Sequence, residues 1–429
     1  MIADALIDRM ARRIGGRYLT FGDSPVDVGL PAPRSNKHYL LYLHIPFCVV
    51  LCPFCSFHRV EFKRDRAKQY FRALRQEIRS VTETGYRFDE MYIGGGTPTV
   101  MPDELIATVR LVRDLHPMSR VSAETNPDDL DDSKLPQIHD AGVNRLSVGV
   151  QSFDDNLLRG MQRYEKYGSG DDIRKRLKRV QGTFETLNVD MIFNLPHQTQ
   201  ESLQNDLEIL TGDVNASQVS YYPLMTTDST RRSMLRTMGA VDFRNERSMY
   251  EQIAQHMLAS GYTQSSAWCF SRDDNMIDEY ITDRHEYLGL GSGAFSYLNE
   301  SFYASTFSIN HYLRLIDAGR TGTVKKRALS SLEQMRYYLL MQMFGGSLDL
   351  ESAERKFDGG FQRGIRGDLS ALRLLGVIKK HDRRLQLTEK GRYIWVVMMR
   401  DFFTGVNKLR EEMRHGISEE NVGGRQTRD

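Results

Sequence analysis

The chain has 429 residues, with Lys plus Arg at 58 against Asp plus Glu at 56 and a net charge of +2, a balance that offers no electrostatic footprint for nucleic acid. No run approaches the ~18 consecutive apolar residues of a membrane span, and residues 1–16 alternate charged and apolar side chains where a signal peptide would carry an apolar core; a soluble, cytoplasmic protein is expected. Three cysteines cluster between positions 48 and 55 and a fourth stands alone at Cys269, which excludes a disulfide framework and points to reduced thiols and metal binding.

After a polar lead-in ending near Ser35, residues 39–45 are nearly all apolar or aromatic, as in a strand covered on both faces. From Asp65, Phe71, Leu74, Ile78 and Val81 recur at helical spacing, and residues 91–93 read as a short strand running into glycines. The alternation continues with a helix through Leu105, Val109 and Val112, a strand at 121–124, a helix through Leu135 and Ile138 stopped by Gly142, and a strand at 145–150. Further strands fit 188–193, 218–222 and 287–291, with a helix carrying Leu203, Leu207 and Leu210 between the first two. This order predicts an α/β fold, a parallel barrel or open barrel. Beyond Ser330 come helices rich in Met, Leu and Arg, then a two-stranded wing over 376–388, so a mostly helical, winged-helix-like C-terminal domain is expected. Such domains bind DNA or serve as lids and interaction modules, and the charge balance argues against nucleic acid. The expected organisation is an N-terminal extension (1–36), the barrel (37–300), a connector (301–330), the C-terminal domain (331–405) and a flexible tail (406–429).

Cys48, Cys52 and Cys55 are separated by three residues and then two, a spacing with which one loop can bring three thiolates to a 4Fe-4S cluster and leave the fourth iron open. An open iron can be chelated by the amino and carboxylate groups of a methionine, placing its sulfonium where an electron from the cluster breaks a carbon–sulfur bond. The competing readings are a structural zinc site, which normally closes on four protein ligands, and buried small apolar residues. No fourth Cys or suitably spaced His stands nearby. Gly94 to Pro98 follows a predicted strand and can bring backbone amides close to a ligand. Glu124, Gln151 and Asp190 fall at predicted strand ends, with Arg163 just after, on the rim where barrels carry their sites; carboxylates suit ribose hydroxyls and an ammonium, Gln and Arg a carboxylate. Tyr221 and Tyr222 are secondary candidates for a cavity wall, and Cys269 reads as a buried residue.

The segment from His44 to Phe57 resembles the radical S-adenosylmethionine superfamily, and its wider context resembles oxygen-independent coproporphyrinogen III oxidases and their heme-chaperone relatives, from about residue 39 to 224 and again near 287. The resemblance implies a partial barrel of radical S-adenosylmethionine type, with Cys48, Cys52 and Cys55 as iron ligands. It implies contacts to the cluster-bound S-adenosylmethionine from Tyr42, Gly95 and Glu124, with the Phe54 backbone beside the cluster, and it places Gly96, Thr97, Gln151, Arg163 and Asp190 around a second S-adenosylmethionine. Residues 289–296 resemble the family's late glycine-rich strand near the adenosyl group. A tetrapyrrole-like substrate and a low-potential electron donor such as flavodoxin or ferredoxin are implied as partners. Phe57 stands where coproporphyrinogen-oxidising members carry a further Cys, Asn194 stands where a glycine is usual, Tyr164 and Glu165 follow Arg163 without the usual His, and residues 275–285 lack the chaperones' His-Asn and Tyr-Trp pairs. Three functions follow: hydrogen abstraction from a tetrapyrrole in porphyrin or heme metabolism, as in oxidative decarboxylation of a propionate; methyl or methylene transfer from a second S-adenosylmethionine, including heme-degrading chemistry; and heme carriage. The substrate acid or base has no assignment.

Overall fold

The computed structural model describes residues 28–130, 133–272 and 286–415; residues 275–285 lie outside these. Strand β1 (Tyr39–Ile45) is buried at every residue and pairs in parallel on both sides, with β4 (Phe88–Gly95) and β11 (Tyr287–Leu290). That double pairing is why its sequence is a continuous apolar run. From β4 the parallel sheet continues through β5 (Arg120–Thr125), β6 (Arg145–Gln151), β7 (Thr186–Phe193) and β8 (Gln218–Pro223). Helices alternate with these strands, the first being Arg64–Glu83, which buries Phe71, Leu74, Ile78 and Val81 as their spacing predicts.

Antiparallel strands extend both edges. On one side are β10 (Cys269–Ser271) and β9 (Thr263–Gln264); on the other are β12 (Phe295–Leu298), β13 (Ser301–Ser305) and β14 (Thr323–Ala328), making a 12-stranded sheet. The expected connector over 301–330 is therefore part of the sheet. Its β13 is buried at every residue, so it shows no alternation of apolar and polar side chains to mark it as a strand. The glycine-rich stretch 289–296, expected as one strand, is the end of β11, a turn with Gly291 and Gly293 at positive φ, and the start of β12.

The C-terminal part has helices Ser331–Phe344, Leu350–Lys356, Phe361–Gly364 and Arg366–Leu374, and a three-stranded antiparallel sheet in the order β15 (Ser347–Asp349), β17 (Arg384–Leu387), β16 (Ile378–His381). The expected wing is β16 and β17, turning at Asp382 with φ 52; β15 adds a strand. The helix Glu389–His415 runs on through the first part of the expected flexible tail, because Phe402, Val406 and Leu409 are buried and Met413 packs beside them. An aromatic seam joins this part to the main sheet: Trp268 packs on Phe344 and Phe403, and Tyr337 on Tyr297 and Phe302. Arg400 and Tyr393 both bond the buried carboxylate of Glu246. Among the described residues no helix is long and apolar enough to cross a membrane.

One carboxylate ties the first helix to the far edge of the sheet. Glu77 is buried and accepts hydrogen bonds from Gly291 N at 3.0 Å, the Tyr312 hydroxyl at 2.7 Å and Gly322 N at 2.6 Å. Burial raises its pKa, against these three bonds, which lower it. Glu77→Ala leaves three buried donors without an acceptor, so stability should fall by roughly 2–4 kcal/mol, measured as a lower urea midpoint.

Candidate functional site

The chain leaves β1 through Pro46 and enters a loop whose base is closed by the parallel pair β2 (Phe47–Cys48) and β3 (Val60–Glu61). Val60 N donates to Pro46 O at 2.7 Å and Phe62 N to Cys48 O at 2.9 Å. Within the loop Cys55 N donates to Cys52 O at 3.3 Å, and Arg59 Nη2 donates to the carbonyls of Cys52 and Cys55, both at 2.6 Å. Cys48, Cys52 and Phe54 are buried and Cys55 is half-buried. Thr97 Oγ1 donates to Cys48 Sγ at 3.7 Å and is itself held by Asn126 Nδ2 at 2.8 Å. Arg163 Nη1 donates to Cys52 Sγ at 3.6 Å, its Nη2 bonds Gly149 O, and its guanidinium lies over the Tyr167 ring at 4.3 Å. Thr97 and Arg163, expected around a second S-adenosylmethionine, thus stand against the cysteine sulfurs, a proximity that sequence spacing does not encode.

Burial pushes the Cys48 thiol up to about 12, with the neighbouring Cys55 adding to it, so binding of a metal there must expel a proton. Burial disfavours the Arg59 charge, and the sulfurs of Cys55, Cys52 and Cys48 more than offset it. All three thiols therefore bear on one guanidinium. Among the described residues no three His, Cys, Asp or Glu side chains are close enough to grip a single metal ion; a four-iron cluster takes one thiolate at each of three irons and needs no such tight set. Arg163 Nε and Arg59 Nε are buried without partners, and neither arginine has a carboxylate partner among the described residues. Buried charges are normally paired, so this cationic surround fits an anionic iron–sulfur group.

The glycine turn is stitched to the same loop: Gly96 N donates to Ile45 O at 2.7 Å and Thr97 N to Phe47 O at 2.8 Å. Gly95 has φ +119, and a Cβ there would stand 2.7 Å from His44 Cε1. Its amide donates to Glu124 Oε2 at 3.0 Å, while the Tyr92 hydroxyl donates to Glu124 Oε1 at 2.9 Å. His44 Nε2 faces the His58 carbonyl at 2.9 Å, which can only accept, so Nε2 carries the proton and Nδ1 accepts from the Tyr42 hydroxyl at 2.8 Å. Burial lowers the His44 pKa to about 3, keeping the ring neutral. Tyr42 thus contributes a ring wall, its hydroxyl committed to His44.

Polar side chains line one face of the parallel strands at every second position. Asp190 accepts from Ser147 Oγ at 2.8 Å and Asn188 Nδ2 at 2.7 Å, and the buried Arg145 donates to Gln218 Oε1 at 3.0 Å and Ser122 Oγ at 2.8 Å. Cys269 receives a bond from Gln218 Nε2 at 2.8 Å at the antiparallel edge. Arg145, Ser147, Asn188 and Gln218 were not among the sequence candidates; the signal was polar residues alternating with Leu146, Val148, Val189 and Val219. Gln151 ends β6 at a register shift with φ 78, a strained backbone for a side chain. Asn194 has φ 64, so it keeps the left-handed backbone a glycine would have, and its buried Nδ2 has no partner among the described residues. Tyr222 shares the polar face and packs 5.6 Å from Trp268; Tyr221 points to the other side of the strand.

A three-cysteine loop after the first strand of a parallel α/β sheet, faced by a glycine turn and a strand-end carboxylate, defines the radical S-adenosylmethionine class, and residues 42–210 match the model of the Radical SAM superfamily. The chain is 31% identical to the heme chaperone HemW of Bacillus subtilis over 287 residues, covering 64% of this chain and 75% of that protein. It is 30% identical to the oxygen-independent coproporphyrinogen III oxidase of Bradyrhizobium diazoefficiens over 358 residues, covering 75% and 78%. Coproporphyrinogen III oxidase (HemN) from Escherichia coli has the same fold, with a TM-score of 0.70 at 24% identity over 86% of this chain and 90% of that one. The chain belongs to the radical SAM superfamily, in the group that holds the HemW heme chaperones and the oxygen-independent coproporphyrinogen III oxidases. The cofactors of this group are a 4Fe-4S cluster and S-adenosylmethionine.

Glu124 carries a pH prediction. Burial, then the charge of Asp190, raises its pKa from 4.5 to about 7. A carboxyl raised on folding contributes stability that is fully present below pH 4.5 and lost as the pH climbs through about 7. The metal-free Glu124→Gln variant should therefore match the parent near pH 4.5 and melt roughly 2–4 °C higher at pH 8, measured by parallel thermal scans.

Proposed function

We propose that the protein is a radical S-adenosylmethionine enzyme acting on a tetrapyrrole or related substrate in porphyrin or heme metabolism, with chemistry like that of the coproporphyrinogen-oxidising relatives. The observation that carries this reading is the set of three thiols on a pinned loop, surrounded by guanidiniums that lack carboxylate partners among the described residues. Cys48, Cys52 and Cys55 would ligate the cluster. When bound, a reduced cluster supplies the electron that divides S-adenosylmethionine into methionine and a 5'-deoxyadenosyl radical, which takes a hydrogen atom from the substrate.

The chain's own residues orient and enclose. Thr97 and Arg163 donate to ligand sulfurs, which lowers electron density on them and fixes their direction. Gly95 brings bare backbone beside the loop, and Glu124, once ionised, offers the Gly95 side of the rim an acceptor for an ammonium or ribose hydroxyl. Tyr42 and the backbone of Phe54 wall the site on the β1 side. A low-potential donor of the flavodoxin or ferredoxin type would deliver the electron.

A second reading, methyl or methylene transfer from a second S-adenosylmethionine, is favoured by one corner of the site: Gln151 ends β6 on a strained backbone, and Arg163 after it holds a buried Nε without a partner among the described residues, with Asp190 on the neighbouring strand β7. A heme-carrying role, as the name of the HemW relatives records, is the third reading.

Anaerobically reconstituted protein with a strong reductant and S-adenosylmethionine should release 5'-deoxyadenosine, and Cys52→Ala should lose both cluster absorbance and product, at least about tenfold below the parent. A verified cluster with no product sinks both enzymatic readings. Methyl-labelled S-adenosylmethionine then separates them: label in a tetrapyrrole product supports transfer, label wholly in methionine supports hydrogen abstraction. Optical titration with heme measures the third.

A further inference from the structure

The helix Glu389–His415 leaves the winged-helix-like part and ends on the cysteine loop. Arg414 Nη2 donates to Ser56 O at 3.2 Å, and the Arg410 guanidinium sits 4.8 Å from the Phe57 ring and 5.7 Å from the Phe295 ring. Arg410 is 4% exposed; its Nη1 donates to Asn407 Oδ1 at 2.6 Å and its buried Nε has no partner. Glu411, next to both in sequence, turns its carboxylate to Thr227 and Ser229. Arg59, Arg163, Arg410 and Arg414 thus gather about one loop, none with a carboxylate partner among the described residues. Burial, then the like charges of Arg59 and Arg410, hold the Arg414 pKa below its ordinary value, and Cys55 and Glu411 oppose them.

Guanidiniums stay charged at any biological pH, and packing several together away from water without an anion is costly. Arg59 belongs to the cysteine loop itself, and Arg163 reaches it from the segment after β6. Arg410 and Arg414 reach it from the other end of the chain, so any anion held by the loop acts on the docking of that helix. An iron–sulfur cluster with three thiolates is such an anion, and its negative charge grows by one on reduction.

We propose that Arg410 and Arg414 are positioning residues that couple the cluster to the C-terminal helix: they raise the cluster's reduction potential, and the cluster's charge holds the helix down on the loop. This rests on the reading of Cys48, Cys52 and Cys55 as cluster ligands. The coupling is reciprocal, since a charge that stabilises the reduced cluster is equally stabilised by it.

The test is an electron paramagnetic resonance redox titration of the full-length reconstituted protein beside R410Q, R414Q, R410K and R400Q. Neutralising Arg410 or Arg414 should lower the reduced-to-oxidised ratio about tenfold at a fixed solution potential, a shift of about 59 mV to more negative values for one electron. R410K should recover most of it. R400Q, which removes a guanidinium of the same helix at Glu246, away from the loop, should leave the potential in place wherever the helix stays docked. Equal shifts in R400Q and R410Q, or none in R410Q at full cluster occupancy, overturn the proposal. Hydrogen exchange of the unmutated protein gives an arm independent of variant folding: residues 402–415 should exchange at least about tenfold more slowly with the cluster than without it, and equal rates overturn the coupling. If the parent assembles no cluster at all, the cluster assignment itself fails, an outcome distinct from a cluster whose potential ignores Arg410.

Discussion

The parallel pairing of β1 between β4 and β11 is the constraint on which the rest of the structure depends. A strand with neighbours on both sides can release its chain only at its end, and the seven residues of β1 end at Ile45. The carbonyls of Ile45 and Phe47 immediately beyond accept the amides of Gly96 and Thr97, which leave β4 at the same edge. Two loops are thereby cross-linked by backbone alone, and the thiol segment inherits its position from the sheet. Glu124 joins them because β5 runs parallel to β4 in the next place, with Ala123 opposite Ile93.

The electrostatics follow from that placement. The polar face inside the sheet is internally satisfied along much of its depth: Asp190 by Ser147 and Asn188, Arg145 by Gln218 and Ser122. Such a filled network rigidifies the strands and gives no ligand a foothold. At the rim the pattern reverses, with Arg59, Arg163 and Asn194 each holding a buried nitrogen that has no partner among the described residues. The contrast between a closed floor and an unsatisfied rim locates the chemistry more sharply than any single residue does.

Much of this was legible in the letters. The parallel strands are legible because apolar runs alternate with helical spacing, and the cysteine loop and the glycine turn because each comes at or after a strand's end; Glu124 and Gln151 do close β5 and β6, whereas Asp190, expected at a strand end, lies inside β7. The antiparallel edges were not, since β13 is covered on both faces and β9 is two residues long. That Thr97 and Arg163 reach sulfur atoms could not be read, because Arg163 and Cys52 meet through folding across 111 positions. The last helix passes the tail boundary expected at 406 because Phe402, Val406, Leu409 and Met413 keep a helical repeat, which the many charges around them obscure.

The order of residues along that last helix has a consequence for biogenesis. Arg410 and Arg414 cover the cysteine loop, yet they are made long after it. At ordinary translation rates the thiols are synthesised on the order of tens of seconds before the side chains that cover them. During that interval Ser56 lacks its bond from Arg414 and Phe57 the Arg410 guanidinium beside its ring. A nascent chain thus presents its thiol loop before the two guanidiniums that later sit against Ser56 and Phe57 exist.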